Sequence, residues 1–189
     1  MTQTTLDFLL TRRSHSPKTL TAPVPTRAQL EPILTAAARV PDHGMLTPWR
    51  FIVLERPALA RLAATVRRLG AEQALPEEVV AKGAAQFETS PLAVVVVHVP
   101  RATEKIPAIE QVLSTGAACL ALVNAALASG WGAGWVTGWV SHDPTFCRQG
   151  LDLAEGEFVA GIVHIGTSSV QPIDRPRPDL TSVVTWVDA

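Results

Sequence analysis

Arg12, Arg13 and Ser14, near the N-terminus, are the residues of this sequence best suited to bind an anion. Two guanidinium groups and a hydroxyl can give a phosphate charge-assisted, bidentate hydrogen bonds. The alternative is a solvated basic helix end, where arginine side chains interact favourably with the helix dipole. The residue types therefore indicate an anion site and leave a structural role open.

A second polar cluster surrounds Pro41, where Arg39, Asp42 and His43 precede the sequence Pro48-Trp49-Arg50. This cluster could equally be an ordinary loop whose tryptophan anchors the core. Taken with the first cluster, it suggests a site for a planar, anionic ligand.

Other chemistries find less support in the residue pattern. No Walker A sequence is present, and Gly130-Trp-Gly-Ala-Gly134 follows a predicted helix rather than a strand, so it is not a dinucleotide fingerprint. The five histidines show no metal-ligand spacing. His98 and His164 lie inside predicted strands, and we expect them to be hydrogen-bonded core residues.

The two cysteines, Cys119 and Cys147, form no C-x-x-C or zinc pattern and are predicted to be free thiols. His142 lies five residues before Cys147, so a Cys/His nucleophile is possible in principle. A cysteine within an alanine-rich helix or after a phenylalanine is more often a core residue.

Composition narrows the class of protein. The 189 residues are 47% hydrophobic and 17% charged, and the mean hydropathy is +0.21. A charged fraction below the usual value of about 25% excludes a disordered chain. The formal net charge of −1 removes the electrostatic reason to expect nucleic acid or an anionic membrane as a partner. We predict one domain, 1–189.

The stretch Gln111–Ser141 contains no Asp, Glu, Lys or Arg and raises the question of a membrane span. Its residues are mostly alanine, glycine, serine and threonine, Asn124 lies near its middle, and Gly130, Gly132 and Gly134 interrupt its second half. We therefore predict a buried helix followed by a buried strand. Residues 1–13 lack a signal-peptide pattern, so we expect a cytoplasmic protein.

Hydrophobic periodicity and turn signals define the elements that must position these residues. Helices are predicted in five places: residues 6–11, 26–38, 57–69, 109–129 and 143–150. Strands are predicted at 51–54, 92–99 and 158–165, with a strand and turn at 131–140 and a last extended segment at 182–187. The polar segment 76–87 is predicted to be mobile or lid-like. Alternation of strands and helices favours a mixed sheet wrapped by helices.

Five motifs stand in a characteristic order: Arg12-Arg13-Ser14, residues 34–41, Pro48-Trp49-Arg50-Phe51, the Gly-Trp-Gly-Ala-Gly-Trp turn and Val163-His-Ile-Gly166. In this order and spacing the chain resembles the FMN-dependent nitroreductase family, from about residue 5 to residue 187. Arg39-Val-Pro-Asp-His43 and the short length look like its small YdjA-like subgroup. The resemblance implies a three-layer α+β fold with a mostly antiparallel sheet wrapped by helices. It also implies a homodimer whose C-terminal segments are exchanged.

The same resemblance assigns cofactor-binding roles and implies no catalytic side chain and no metal ligand. Arg12, Arg13 and Ser14 match residues that hold the FMN phosphate and ribityl chain and approach the ring. Arg39 and His43 match positions that reach the FMN of the opposite subunit. The segment Trp135-Val136-Thr137 matches a strand end whose backbone faces the flavin edge. Arg175 and Arg177 match a C-terminal basic pair that closes on the phosphate.

One loop departs from the family pattern. Where many relatives have Ser and Asn before Gln-Pro-Trp, this chain has His43, Met45 and Thr47. The usual Asn contact is therefore missing, and the geometry of the subgroup must replace it.

The implied activity is oxidation of NAD(P)H and reduction of a small planar acceptor, such as a nitroaromatic or quinone, in alternation through FMN. Trp49 or Trp135 could stack on the acceptor, although each could equally be a core residue. The chain has no tyrosine, so we expect protons to come from solvent. The alternatives are an FMN-dependent dehydrogenase or flavin-destroying enzyme, and a non-catalytic flavin-binding or sensor protein.

The implied dimer also accounts for the oily composition. In a dimer, the charge-free stretch 111–141 would form a core helix and a flavin-edge strand, with apolar surface buried between subunits. We therefore expect an obligate interface larger than about 2,000 Å².

Overall fold

A central sheet of five strands organises the chain, seen here in a computed structural model that describes residues 4–188. The termini of the predicted domain 1–189, residues 1–3 and 189, lie outside the described residues. The strands are β1 (Leu20–Thr21), β2 (Trp49–Leu54), β3 (Ala93–His98), β4 (Gly132–Val136) and β5 (Phe158–Ser168).

Strand β5 is the centre of the sheet, with β3 and then β2 on one edge and β4 on the other. Strand β1 pairs with the last residues of β5. Every pairing among the described strands is antiparallel. The mixed sheet predicted from the alternation of strands and helices is therefore wrong. Two helices separate β2 from β3 and return the chain to the end where β2 finished, so the two strands run antiparallel. The mostly antiparallel α+β fold is confirmed.

The predicted helices are present. The helices are α1 (Thr5–Thr11), α2 (Arg27–Ala37), α3 (Arg56–Glu72), α4 (Glu77–Thr89), α5 (Ala108–Ala128), α6 (Trp139–His142), α7 (Pro144–Leu151) and α8 (Leu180–Val183). The Thr26 hydroxyl accepts from the Gln29 backbone N–H, and the Gln29 side chain accepts from the Thr26 backbone N–H, completing a capping box at α2.

Two local predictions are wrong. Segment 76–87 is not a lid: it is α4, which buries Gly83, Ala84 and Phe87 and packs against α3. Its polarity belongs to the exposed face of an amphipathic helix. The tail segment 182–187 is not extended throughout, because its first residues belong to α8. The Asp179 side chain caps this helix by accepting a hydrogen bond from the Thr181 backbone N–H.

Two apolar layers cover the sheet and give the three-layer architecture. One face of β3, with Val95 and Val97, packs against α3, α4 and α7. The other face, with Val94 and Val96, packs against α2 and α5. All six β3 residues are buried, as expected for a strand covered on both sides.

Helix α5 is long and apolar enough to cross a membrane by length and composition, and 44% of its most apolar window is buried within the protein. The face bearing Thr115, Ala118, Cys119 and Leu122 packs on the sheet layer. We therefore read α5 as the central core helix, as predicted from the sequence.

Two buried histidines are hydrogen-bonded in the core, as predicted. His98 Nδ1 lies 2.9 Å from Thr115 Oγ1, and His164 Nδ1 lies 2.8 Å from Ser90 Oγ. Burial lowers the pKa of His98 and lowers that of His164 to about 4. The cysteines are free and buried, and burial raises the pKa of Cys119 to about 12, so neither position suits a thiolate nucleophile.

His164 should make stability depend on pH. Between pH 6.5 and 4 the unfolded chain binds a proton at this histidine and the folded chain does not, so acidification favours unfolding. The free energy of unfolding should fall by about 3 kcal/mol across that window on this account. Urea unfolding of the protein and of His164→Gln, at several pH values from 7 to 4, measures the effect. The variant should show the smaller fall, and equal falls would refute the assignment.

Candidate functional site

A cavity of about 780 Å³ brings together residues that are far apart in the sequence. Its walls come from the segment after α1, from the end of β4 and from the C-terminal tail. Seven of the ten predicted site residues line it: Arg12, Arg13, Ser14, Trp135, Val136, Arg175 and Arg177.

The arginine segment is held against β4 by its backbone. The His15 backbone N–H donates to the Ala133 carbonyl at 2.8 Å. A Cβ at Gly134 would lie 2.1 Å from the His15 carbonyl oxygen, so only glycine permits this approach. Helix α1, capped by the Thr4 and Asp7 side chains, ends at Thr11 and delivers Arg12 to the cavity.

The cavity carries more positive than negative charge. The Nε atoms of Arg12 and Arg13 are buried and have no hydrogen-bond partner within the described residues. Burial, followed by the charges of Arg13 and Arg177, lowers the pKa of Arg12. Orphaned, partly desolvated guanidinium groups are favourable only when an anion joins them.

One carboxylate lies beside the arginines. Asp174 Oδ1 is 3.1 Å from Arg177 Nη2 and 3.7 Å from Arg13 Nε, and the second distance is too long for a hydrogen bond. The Arg175 backbone N–H, then the charges of Arg177 and Arg13, lower the pKa of Asp174. Four arginines thus line the cavity and one carboxylate lies beside them. This excess of positive charge suits a dianion such as a phosphate monoester.

A second cavity, of about 630 Å³, shares Ser16, Pro17 and Val136 with the first. Its other walls include Thr137, the eighth predicted residue, and Trp139. Helix α4 supplies further lining residues that sequence reasoning missed: Val79, Lys82 and Gln86. The Gln86 side-chain oxygen is buried without a hydrogen-bond partner within the described residues. The two cavities are therefore neighbours, one rich in arginine and the other more apolar.

His15 is another missed residue. It lines the arginine-rich cavity, its Nδ1 is buried without a partner within residues 4–188, and burial lowers its pKa. Only its position directly after Arg-Arg-Ser could have signalled it in the sequence.

Arg39 and His43, the remaining predicted residues, line neither cavity. Arg39 follows the end of α2, and His43 lies in the loop that packs on the N-terminal half of α5, where Ser114 Oγ donates to the Pro41 carbonyl at 2.7 Å. His43, Met45 and Thr47 have positive φ angles of 37°, 56° and 46°. Such angles cost energy in residues other than glycine, most of all in a β-branched threonine. The loop is therefore held in an unusual conformation.

The tryptophans separate into two roles. Trp49 is buried in the core and its indole N–H donates to Ser114 Oγ at 3.2 Å, so of its two predicted roles the core role is the one observed. The partly exposed Trp135 lines the arginine-rich cavity and lies against the backbone of Gly161.

Known proteins resemble this chain over most of its length. Residues 9–167 match the model of the nitroreductase family. A curated relative from Escherichia coli K12, named "Putative NAD(P)H nitroreductase YdjA", is 31% identical over 182 residues, covering 96% of this chain and 98% of the relative.

Solved structures share the fold at lower identity. A nitroreductase-like family protein from Bacillus cereus superposes with a TM-score of 0.80 at 22% identity and covers 100% of both chains. A nitroreductase from Desulfovibrio desulfuricans, crystallised in complex with FMN, superposes with a TM-score of 0.75 at 19% identity, covering 97% of this chain and 96% of that one.

Proposed function

The chain belongs to the nitroreductase family, and from that premise we propose that it is a single-domain, FMN-dependent oxidoreductase that uses NAD(P)H to reduce small planar acceptors. One observation carries the proposal. Four arginines line a cavity at the end of β4, and two of them have buried Nε atoms without a partner in the described residues. A more apolar cavity adjoins it.

These residues fit FMN by charge and by their unpartnered hydrogen-bond donors. In the proposal, Arg12, Arg13 and Ser14 bind the phosphate and ribityl chain, and Arg175 and Arg177 close on the phosphate from the tail. The Trp135–Thr137 backbone faces the ring. Asp174 pairs with Arg177 of the tail and lies near Arg13.

Bound FMN supplies the redox chemistry, accepting a hydride and passing electrons on. The protein binds, orients and shields the reactants, so no catalytic side chain is assigned. We propose that NAD(P)H and the acceptor occupy the same space in turn, with nitroaromatics or quinones as acceptors. Protons are supplied by solvent.

We propose a homodimer in the cytoplasm. Four large apolar residues on α5 are exposed in the single chain, namely Ile109, Val112, Leu113 and Leu120. We call these residues the α5 face. A second copy is the occupant we assign to it, because His43 lies beside this helix and both Arg39 and His43 lie outside the cavities of their own chain.

The C-terminal tail supports the same assembly. Ile173 and Trp186 are 89% and 90% exposed, and large exposed apolar side chains are candidates for burial in an interface. In the proposal, the tails exchange between subunits and the total interface exceeds about 2,000 Å².

A two-stage spectroscopic experiment tests the function. Protein reconstituted with FMN should be yellow, should be bleached by NADH or NADPH without oxygen, and should regain its colour when a nitroaromatic is added. Persistent colour in the presence of both nicotinamides would instead support the non-catalytic flavin protein. A preparation that takes up no FMN would refute every flavin-based function.

A further inference from the structure

His43 is held from one side by a residue that the site description does not use. Its Nδ1 contacts the carboxylate of Glu110, in the first turn of α5. Both side chains are partly exposed, and no hydrogen-bond partner of His43 Nε2 lies within the described part of the chain.

The loop that contains His43 packs on the N-terminal end of α5. Glu110 and Ser114 are four residues apart, on one face of the helix, and they hold His43 and the Pro41 carbonyl. The Thr47 backbone N–H donates to Asp42 at 2.8 Å, and Arg101 donates to the Thr47 carbonyl at 3.1 Å. The left-handed backbone at His43 is thus fixed from several directions, while the orientation of its ring depends on Glu110.

A carboxylate that contacts Nδ1 selects the tautomer with the proton on that nitrogen. It also fixes the plane of the imidazole, as a carboxylate does when it accepts a hydrogen bond from a metal-bound histidine. The opposite nitrogen, Nε2, then points away from α5 in a defined direction.

We propose that Glu110 is a positioning residue for His43, and that through it one chain shapes the FMN site of the other. The inference rests on the proposed function, in which His43 reaches the FMN of the partner subunit. Its specific content is that Glu110 acts on the partner's site and has no effect on the site of its own chain.

Single variants give the first test. Glu110→Ala should weaken FMN binding by about fivefold to tenfold, because an ordered, charge-assisted contact is lost. Glu110→Gln keeps an acceptor for the Nδ1 proton and should restore affinity to within about twofold. Glu78→Ala is the matched control: Glu78 is also an exposed acid in the first turn of a helix, so it reports the loss of a favourable charge at a helix start.

A double variant separates positioning from general stability. In a His43→Ala background, Glu110→Ala should cause no further loss of FMN affinity, since the residue through which it acts is already gone. An additional loss equal to that in the native background would overturn the proposal.

Mixed dimers, isolated through two different affinity tags, give the decisive test. Arg12→Ala disables one FMN site, and Glu110→Ala is then placed on either chain. On the chain opposite Arg12→Ala, it should leave one site of native affinity. On the same chain as Arg12→Ala, it should leave none. The reverse pattern would show that Glu110 serves its own chain and would overturn the inference. If Arg12→Ala alone leaves both sites intact, the proposed FMN site itself fails.

Discussion

Arg12→Ala should weaken FMN binding by more than about 1.5 kcal/mol, which is more than about tenfold in the dissociation constant. Arg12 follows the end of α1, its Nη2 donates to Ser14 Oγ at 2.8 Å, and its Nε is buried without a partner within residues 4–188. Its removal takes away a charge-assisted donor and loosens the hydroxyl beside it. Titration of apoprotein with FMN, followed by flavin fluorescence, measures the change.

Two controls make this result specific. Arg61→Ala removes an exposed arginine from α3, outside both cavities, and should leave FMN affinity unchanged. Riboflavin lacks the phosphate, so the loss caused by Arg12→Ala should be much smaller for riboflavin than for FMN. Native retention of FMN by Arg12→Ala on dialysis would refute the assignment of the phosphate to this arginine.

Much of the fold could be predicted because local and tertiary signals agree. The Thr26–Gln29 capping box, the apolar run of β3 and the glycine after α5 each specify one structure through short-range physics. The prediction for segment 76–87 was wrong because its glutamates and lysine suggested a segment exposed to solvent on all sides. In the structure, Phe87 and Ala84 form a narrow buried face. Its packing partner, α3, could not be identified from local sequence.

The site was harder to predict than the fold. The Arg-Arg-Ser segment is compact in sequence, and its residue types alone suggested an anion. The role of His15 in the cavity wall depends on the approach to Gly134, which follows from strand register and not from residue type. The α4 wall of the second cavity, with Lys82 and Gln86, likewise arises from long-range packing.

The apolar composition now has a structural basis. Helix α5 uses one side for the sheet layer and leaves the α5 face uncovered in the single chain. A charge-poor helix is expected where both sides are to be buried, one by the core and the other, in our proposal, by a second subunit.

The second large effect should appear only when two different chains are combined. His43 lies beside α5, and neither His43 nor Arg39 lines the cavity that contains Arg12 of the same chain. If FMN lies between subunits, each site takes its arginines from one chain and its His43 from the other. A dimer with Arg12→Ala on one chain and His43→Ala on the other then places both changes in one site and leaves the other site untouched.

The matched comparison places both substitutions on a single chain of the mixed dimer. Each of the two sites then loses one residue, so both should be weakened. The two preparations have the same composition and the same number of substitutions. Any general effect on stability is therefore shared, and only the arrangement of the site distinguishes them.

The most direct test of a flavin site built by two chains is the number of FMN molecules that each mixed dimer binds with native affinity. With the substitutions on opposite chains, we predict one tight FMN per dimer, and with both on the same chain we predict none. Two equally weakened sites in the opposite-chain dimer would contradict a flavin site built by two chains.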